Sequence, residues 1–158
     1  MINHLLITKS LIKRRRPDFD FTIFHDSPVT LLSKSLRECK LALVTTGGLH
    51  LKTDTPFDLS LKDGDCSYRK LPGEVGSDDL IVSHKWYNHK FINTDLDCVL
   101  PVDRMKEYVS SGIIKSLSDE HISFMGHIYD ASPLISNSVK AGKHLKGLGV
   151  DIAFLTPT

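Results

Sequence analysis

The sequence predicts an α/β fold built on a parallel sheet with crossover helices, flavodoxin-like or Rossmann-like in kind. Three observations predict it. A continuously apolar run at residues 41–44 reads as a buried strand, and the mostly apolar stretches at residues 122–125 and 150–155 read as two more. Segments with apolar residues at helical spacing alternate with those runs. Each run also ends in small or polar residues: Thr45-Thr46-Gly47-Gly48, Gly126, and Thr156-Pro157-Thr158.

Bulk properties narrow the function. With 158 residues, the chain can bury one real core. Its 20 basic and 19 acidic residues leave a net charge of +1, so no global field draws nucleic acid or anionic lipid. No apolar run approaches the ~20 residues that span a bilayer. At the start, the basic cluster follows the apolar residues, the reverse of a secretory signal. Cys39, Cys66 and Cys98 are widely spaced and odd in number, which fits neither a disulfide framework nor a zinc pattern. A reducing cytoplasm suits them.

The elements follow in order. Residues 1–27 read as an extension, with Lys13-Arg14-Arg15-Arg16 before Pro17 as a solvated basic arm. An α/β domain follows over residues 28–158. Leu31, Leu32, Leu36 and Cys39 predict a helix over residues 30–39, with Thr30 as N-cap. Residues 41–44 are the first strand. Residues 52–100 are punctuated by Pro56, Gly64, Pro72-Gly73 and Gly76, and read as a long functional loop with one short strand at residues 80–82. Asp103 is the expected N-cap of a helix over residues 104–111, closed by Gly112. A strand at residues 122–125 and a helix over residues 133–148, stopped by Gly149, come next. The strand at residues 150–155 reads as buried on both faces and wants cover, so the sheet is expected to be incomplete at the C-terminus.

Parallel crossovers place the three strand ends on one edge of the sheet, where ligands bind in open α/β folds. The pocket candidates are therefore Thr45, Thr46, Gly47, Gly48, His50, Gly126, Thr156, Pro157 and Thr158. Thr45-Thr46-Gly47-Gly48 reads equally as an anion cradle or as a tight turn that needs glycine. It is not a dinucleotide fingerprint. Arg104 is a candidate for a substrate carboxylate, beside its reading as a surface arginine. His84 and His89 sit five apart around Trp86 and Tyr87, a spacing that supports no metal site. Cys66 reads as an incidental loop thiol.

The stretch LALVTTGGLHLKTDTPFD over residues 41–58 resembles the opening block of the glycine/sarcosine/betaine reductase selenoprotein B family, which includes the D-proline reductase selenoprotein subunit. Further blocks match in the same order. They are Gly64-Asp65-Cys66-Ser67-Tyr68-Arg69, Ser83-His84, Leu100-Pro101-Val102-Asp103-Arg104, Ser123-Phe124-Met125-Gly126 and DIAFLTPT at residues 151–158. The resemblance implies a selenocysteine, or a cysteine, directly after Thr158, with a second cysteine close behind. It also implies a partner subunit bearing a pyruvoyl group, and reductive cleavage of an amino-acid carbon–nitrogen bond. On that expectation the sequence ends at a UGA codon read as stop, no catalytic residue is present, and the chain alone is inactive. A second copy of the chain is a further partner. The rival expectation is a non-enzymatic α/β module that binds a small anion or a protein.

Overall fold

The computed structural model describes residues 4–21, 23, 25–85 and 87–158; Trp86 and residues 1–3 lie outside them. It divides into two compact units, Met1–Leu31 and Leu32–Thr158.

In the first unit, the segment read only as an extension carries a helix, α1 (His4–Lys13), that ends where the basic run begins. None of its residues is buried, and Leu5, Leu6, Ile7 and Leu11 are exposed. Lys9 pairs with Asp20 at 2.6 Å.

The second unit opens with a correction. The helix expected over residues 30–39 is a single 3-10 turn, Leu36–Glu38. A helix this short depends on burying its apolar face, and Leu31, Leu32 and Leu36 all stay exposed. The turn is held instead by Glu38, whose carboxylate accepts from the Ser35 N–H and hydroxyl.

Next come β1 (Lys40–Thr45), β2 (Leu49–Leu51), β3 (Tyr68–Pro72), β4 (Leu80–Val82) and a short α2 (His89–Ile92). They are followed by α3 (Val102–Ser110), β5 (Ser116–Leu117), β6 (Glu120–Phe124), α4 (Ser132–Gly147) and β7 (Ile152–Thr156). β1 pairs in parallel with β7 along its length, and with β5 and β6 in succession. A strand has two edges, so β5 and β6 share the edge opposite β7. The sheet therefore runs β3, β6 (with β5 in line), β1, β7, and only β3 is antiparallel. β2 and β4 form a separate antiparallel pair.

Alternation along β1 explains the two cores. Leu41 and Leu43 pack on one face with Val102 and Met105 of α3. Ala42 packs on the other with Ala141 and Leu145 of α4, beside Ile122 and Phe124. Helices thus cover opposite faces of a mostly parallel sheet, consistent with the flavodoxin-like or Rossmann-like expectation. The second parallel strand lies on one side of β1 and the third on the other. β1 and β7 therefore flank the point where strand order reverses, and crevices open there.

Two further expectations are corrected. β7 is not buried on both faces: Phe154 is 42% and Leu155 67% exposed, because β1 is its only described neighbour. Asp103 does not cap α3. Pro101 holds that position, and the Asp97 carboxylate accepts from the N–H groups of Asp103 and Arg104 at 3.1 and 3.2 Å. Gly112 and Gly149 do close their helices, with φ of 69° and 74°.

Candidate functional site at the strand ends

The carboxyl ends of β1, β6 and β7 lie side by side. The Thr46 N–H donates to the Thr156 carbonyl at 3.3 Å, and the Gly48 N–H to the Phe124 carbonyl at 2.9 Å. Gly47 bridges to Met125. The Thr158 N–H donates to Thr46 Oγ1 at 2.9 Å, and the two hydroxyls are 3.2 Å apart. Thr158 therefore lies beside Thr46, at the switch point.

Within this edge the residues divide by availability. Thr45 is fully buried; its hydroxyl donates to the Thr156 carbonyl and accepts from the Gly47 N–H. It closes the turn rather than facing a ligand. The Thr156 hydroxyl donates to the Val99 carbonyl at 2.7 Å and ties β7 to the segment before α3. Thr46 is half-buried and Thr158 exposed, and their hydroxyls meet each other. Gly48 has a φ of 65°, so this turn does need glycine. Pro157, with Thr46 and Thr156, lines the mouth of a largely apolar groove of about 410 Å³ between α4 and β7, where Val44, Leu134, Leu145 and Leu155 form the walls.

His50 sits on β2 and is 1% exposed. The Leu51 carbonyl can only accept, so Nδ1 carries the proton and donates at 2.8 Å; Nε2 then accepts from the Ser83 hydroxyl at 2.9 Å. Both ring nitrogens are engaged inside the fold. Arg104 lies exposed on α3 and pairs with Asp97 at 3.2 Å and Glu107 at 2.9 Å. Its described contacts include no strand-end residue.

The long loop is pinned by two residues. Arg69 donates to the carbonyls of Thr55 and Pro56 and stacks over Phe57 at 4.2 Å. Burial works to raise the Asp65 pKa, but bonds from Ser67 and the Asp58 N–H outweigh it and hold the carboxyl below its ordinary value. Burial, then Asp130 and Asp65, push the Cys66 thiol up, which opposes a reactive thiolate there. Among the described residues no group of three or more metal-ligating side chains occurs.

Sequence reasoning weighed His84 only as a metal ligand, yet it stands against two of the strand-end turns. A Cβ on Gly48 would lie 2.9 Å from His84 Cβ, and one on Gly126 would lie 2.9 Å from both His84 Nε2 and the Thr46 carbonyl oxygen. The His84 ring also packs on Tyr87 at 4.8 Å, and Tyr87 donates to the Gly47 carbonyl at 3.0 Å. Its sequence signals were the Ser83-His84 block of the resemblance and the pair of glycines, whose shared neighbour is set by tertiary packing.

Comparison with known proteins adds to this geometry. The sequence profile of the glycine/sarcosine/betaine reductase selenoprotein B family matches residues 5–158. The chain is 36% identical over 128 residues to the D-proline reductase subunit gamma of Acetoanaerobium sticklandii, covering 80% of this chain and 52% of the relative. It is 28% identical over 160 residues to the glycine reductase complex component B subunit gamma of Carboxydothermus hydrogenoformans, covering 98% of this chain and 36% of that one. The corresponding subunit of Symbiobacterium thermophilum is 31% identical over 147 residues, covering 90% of this chain and 32% of the relative. The chain thus spans about half the length of the first of these relatives and about a third of the others. No solved structure matches.

Proposed function

The chain belongs to the glycine/sarcosine/betaine reductase selenoprotein B family, and from that membership we propose that it forms the front part of an amino-acid reductase subunit of the glycine/sarcosine/betaine or D-proline type. One observation carries the reading: Thr46 holds Thr158 at the switch point, so the next residue emerges into the crevice where open α/β sheets bind ligands. The reading includes a segment beyond Thr158, and the chain spans only about half to a third of its relatives' length. That segment carries the selenocysteine/cysteine pair, and a partner subunit carries a pyruvoyl group. Together they supply the nucleophile and the activated substrate for reductive carbon–nitrogen cleavage.

The residues at the edge suit an anionic nucleophile. Thr46 and Thr158 offer hydroxyls, and no carboxylate figures among the described contacts of Thr46, Thr156 and Thr158. The chain's own part is to seat β7, fix the direction in which the following residue leaves, and shield that point with the Gly47-Gly48 turn. Residues 1–158 without the pair are inactive in this account. The chain works in the cytoplasm, consistent with the absence, among the described residues, of a helix long and apolar enough to cross a membrane.

A second reading has its own observation. The outer edge of β7, with exposed Phe154 and Leu155 and the apolar groove beside it, would suit a non-enzymatic module that binds a partner chain or a second copy. An assay separates the two. The frame continued past Thr158, produced with its pyruvoyl-bearing partner and a dithiol reductant, is expected to consume dithiol in the presence of one of glycine, sarcosine, betaine or D-proline. No consumption with any of the four would overturn the reductase reading and favour the binding module.

A further inference from the structure

The turn after β1 has its N–H groups engaged within the chain. Thr46 donates to the Thr156 carbonyl, Gly47 to the Thr45 hydroxyl, Gly48 to the Phe124 carbonyl and Leu49 to the Ser123 hydroxyl. An anionic group beside this turn is therefore met by side chains. A cavity of about 280 Å³ opens where β6 ends, lined by Met125 and His127 and by Asp58, Gly64 and Asp65 of the long loop. Met125 bridges to Gly47, so the cavity adjoins the turn. The loop is fastened there, with the Tyr129 N–H donating to the Asp63 carbonyl at 2.9 Å. The volume is at the small end for ligand sites and suits a small amino acid.

Lys85 lines the same cavity, and it takes part in no hydrogen bond or ion pair among the described residues. Lys106, which lines two other cavities, is by contrast paired with Glu74 and Asp103 at 3.3 Å. The two carboxylates of the cavity differ in the same way. Asp65 is spent on the Asp58 N–H, on the N–H and hydroxyl of Ser67, and on Arg69 at 3.9 Å. Asp58 gives one oxygen to the N–H and hydroxyl of Ser60, and its other oxygen takes part in no described bond. The Ser60 bonds hold the Asp58 carboxyl below its ordinary range, so it is ionised near pH 7. The cavity thus offers a ligand one cation and one carboxylate oxygen.

We propose that Lys85 takes the carboxylate, and Asp58 the cationic nitrogen, of a small amino acid bound in this cavity. Glycine, sarcosine, betaine and D-proline all carry those two charges and differ chiefly in what the nitrogen bears. One cation and one carboxylate serve all four, by charge-assisted contacts. The inference rests on the reductase reading for its class of substrate, while the charges that carry it lie wholly within this chain.

Methyl NMR of the methionines tests this on the chain as it stands. Met125 lines the cavity, and Met105, buried in the core, is the internal reference. Titration with D-proline, glycine, sarcosine or betaine is expected to shift the Met125 methyl saturably with at least one of the four and to leave Met105 unmoved. D-prolinamide, which lacks the carboxylate, should bind about tenfold more weakly than D-proline. In Lys85→Gln and in Asp58→Asn, each at an exposed position, the amino acid that shifts the parent should also bind about tenfold more weakly. No saturable shift with any of the four overturns the inference, as does binding within twofold of the parent in Lys85→Gln. Displacement of the amino acid by an equal concentration of inorganic phosphate would make the cavity a general anion site and overturn it too. None of these outcomes moves the family reading, which the reductase assay tests separately through turnover.

Discussion

Between about pH 6.5 and pH 4 the protein is expected to lose about 3 kcal/mol of folding stability through one side chain, His121. His121 is fully buried on β6, and its Nδ1 accepts the Leu43 N–H at 3.2 Å. That N–H faces the break between β5 and β6, where the ladder lacks a carbonyl, so the imidazole stands in for backbone. An accepting Nδ1 requires the neutral ring with its proton on Nε2, and Nε2 is the one buried side-chain polar atom without a partner among the described residues. Burial pushes the His121 pKa down from 6.5 to about 4. The sign follows: below pH 6.5 the unfolded chain takes up a proton that the folded chain refuses, so stability falls as pH falls, until the folded form also protonates near 4. Denaturant unfolding of the parent and of His121→Asn across this range isolates the effect. The Asn carbonyl can accept the same N–H but does not titrate. The difference between the two profiles should change by about 3 kcal/mol. Parallel profiles would mean that His121 is not buried as a neutral ring.

Gly64→Ala is the second large effect. Gly64 has a φ of 94°, and a Cβ there would press on the His127 carbonyl oxygen closer than real Cβ atoms come, and lie 2.9 Å from Ile128 Cα. Both neighbours are backbone and cannot swing away. The Asp63 carbonyl accepts from the Tyr129 N–H at 2.9 Å, so the loop is fastened to the segment it would have to leave. A cost above about 3 kcal/mol is expected, combining left-handed strain with overlap. Gly112→Ala is the control: its φ is 69°, with nothing within 4 Å of the added carbon. It should cost only about 1–2 kcal/mol. Equal costs at the two positions would mean that conformation alone matters and that the loop does not press on residues 127–128.

What the sequence made legible is what local pattern encodes. The continuously apolar run that became β1 reflects its place inside the sheet, between β7 and the β5–β6 edge, and Gly112 and Gly149 mark helix ends through their own φ. The convergence of the Gly47-Gly48 turn and Thr158 followed from topology rules applied to those runs. Other features depend on partners remote in sequence. β3 was missed because Tyr68–Pro72 alternates weakly and contains a proline, and it becomes a strand only by lying antiparallel to β6. The helix expected over residues 30–39 failed because its leucines have no face to bury against. Asp97, and not Asp103, caps α3 from outside the helix. His84 and His121 look alike in the sequence. The first borders the strand-end site and the second repairs a ladder, and only packing distinguishes them.

The central claim is that the redox residues of this family follow Thr158, at the point where Thr46 holds the end of β7. Sequencing the transcript across that point tests it most directly. The account predicts a codon for selenocysteine or cysteine immediately after Thr158, then an in-frame cysteine within a few residues and further α/β sequence related to the longer relatives. A frame with neither residue there and no related sequence beyond it would contradict the claim and leave the strand-end edge as the surface of a binding module.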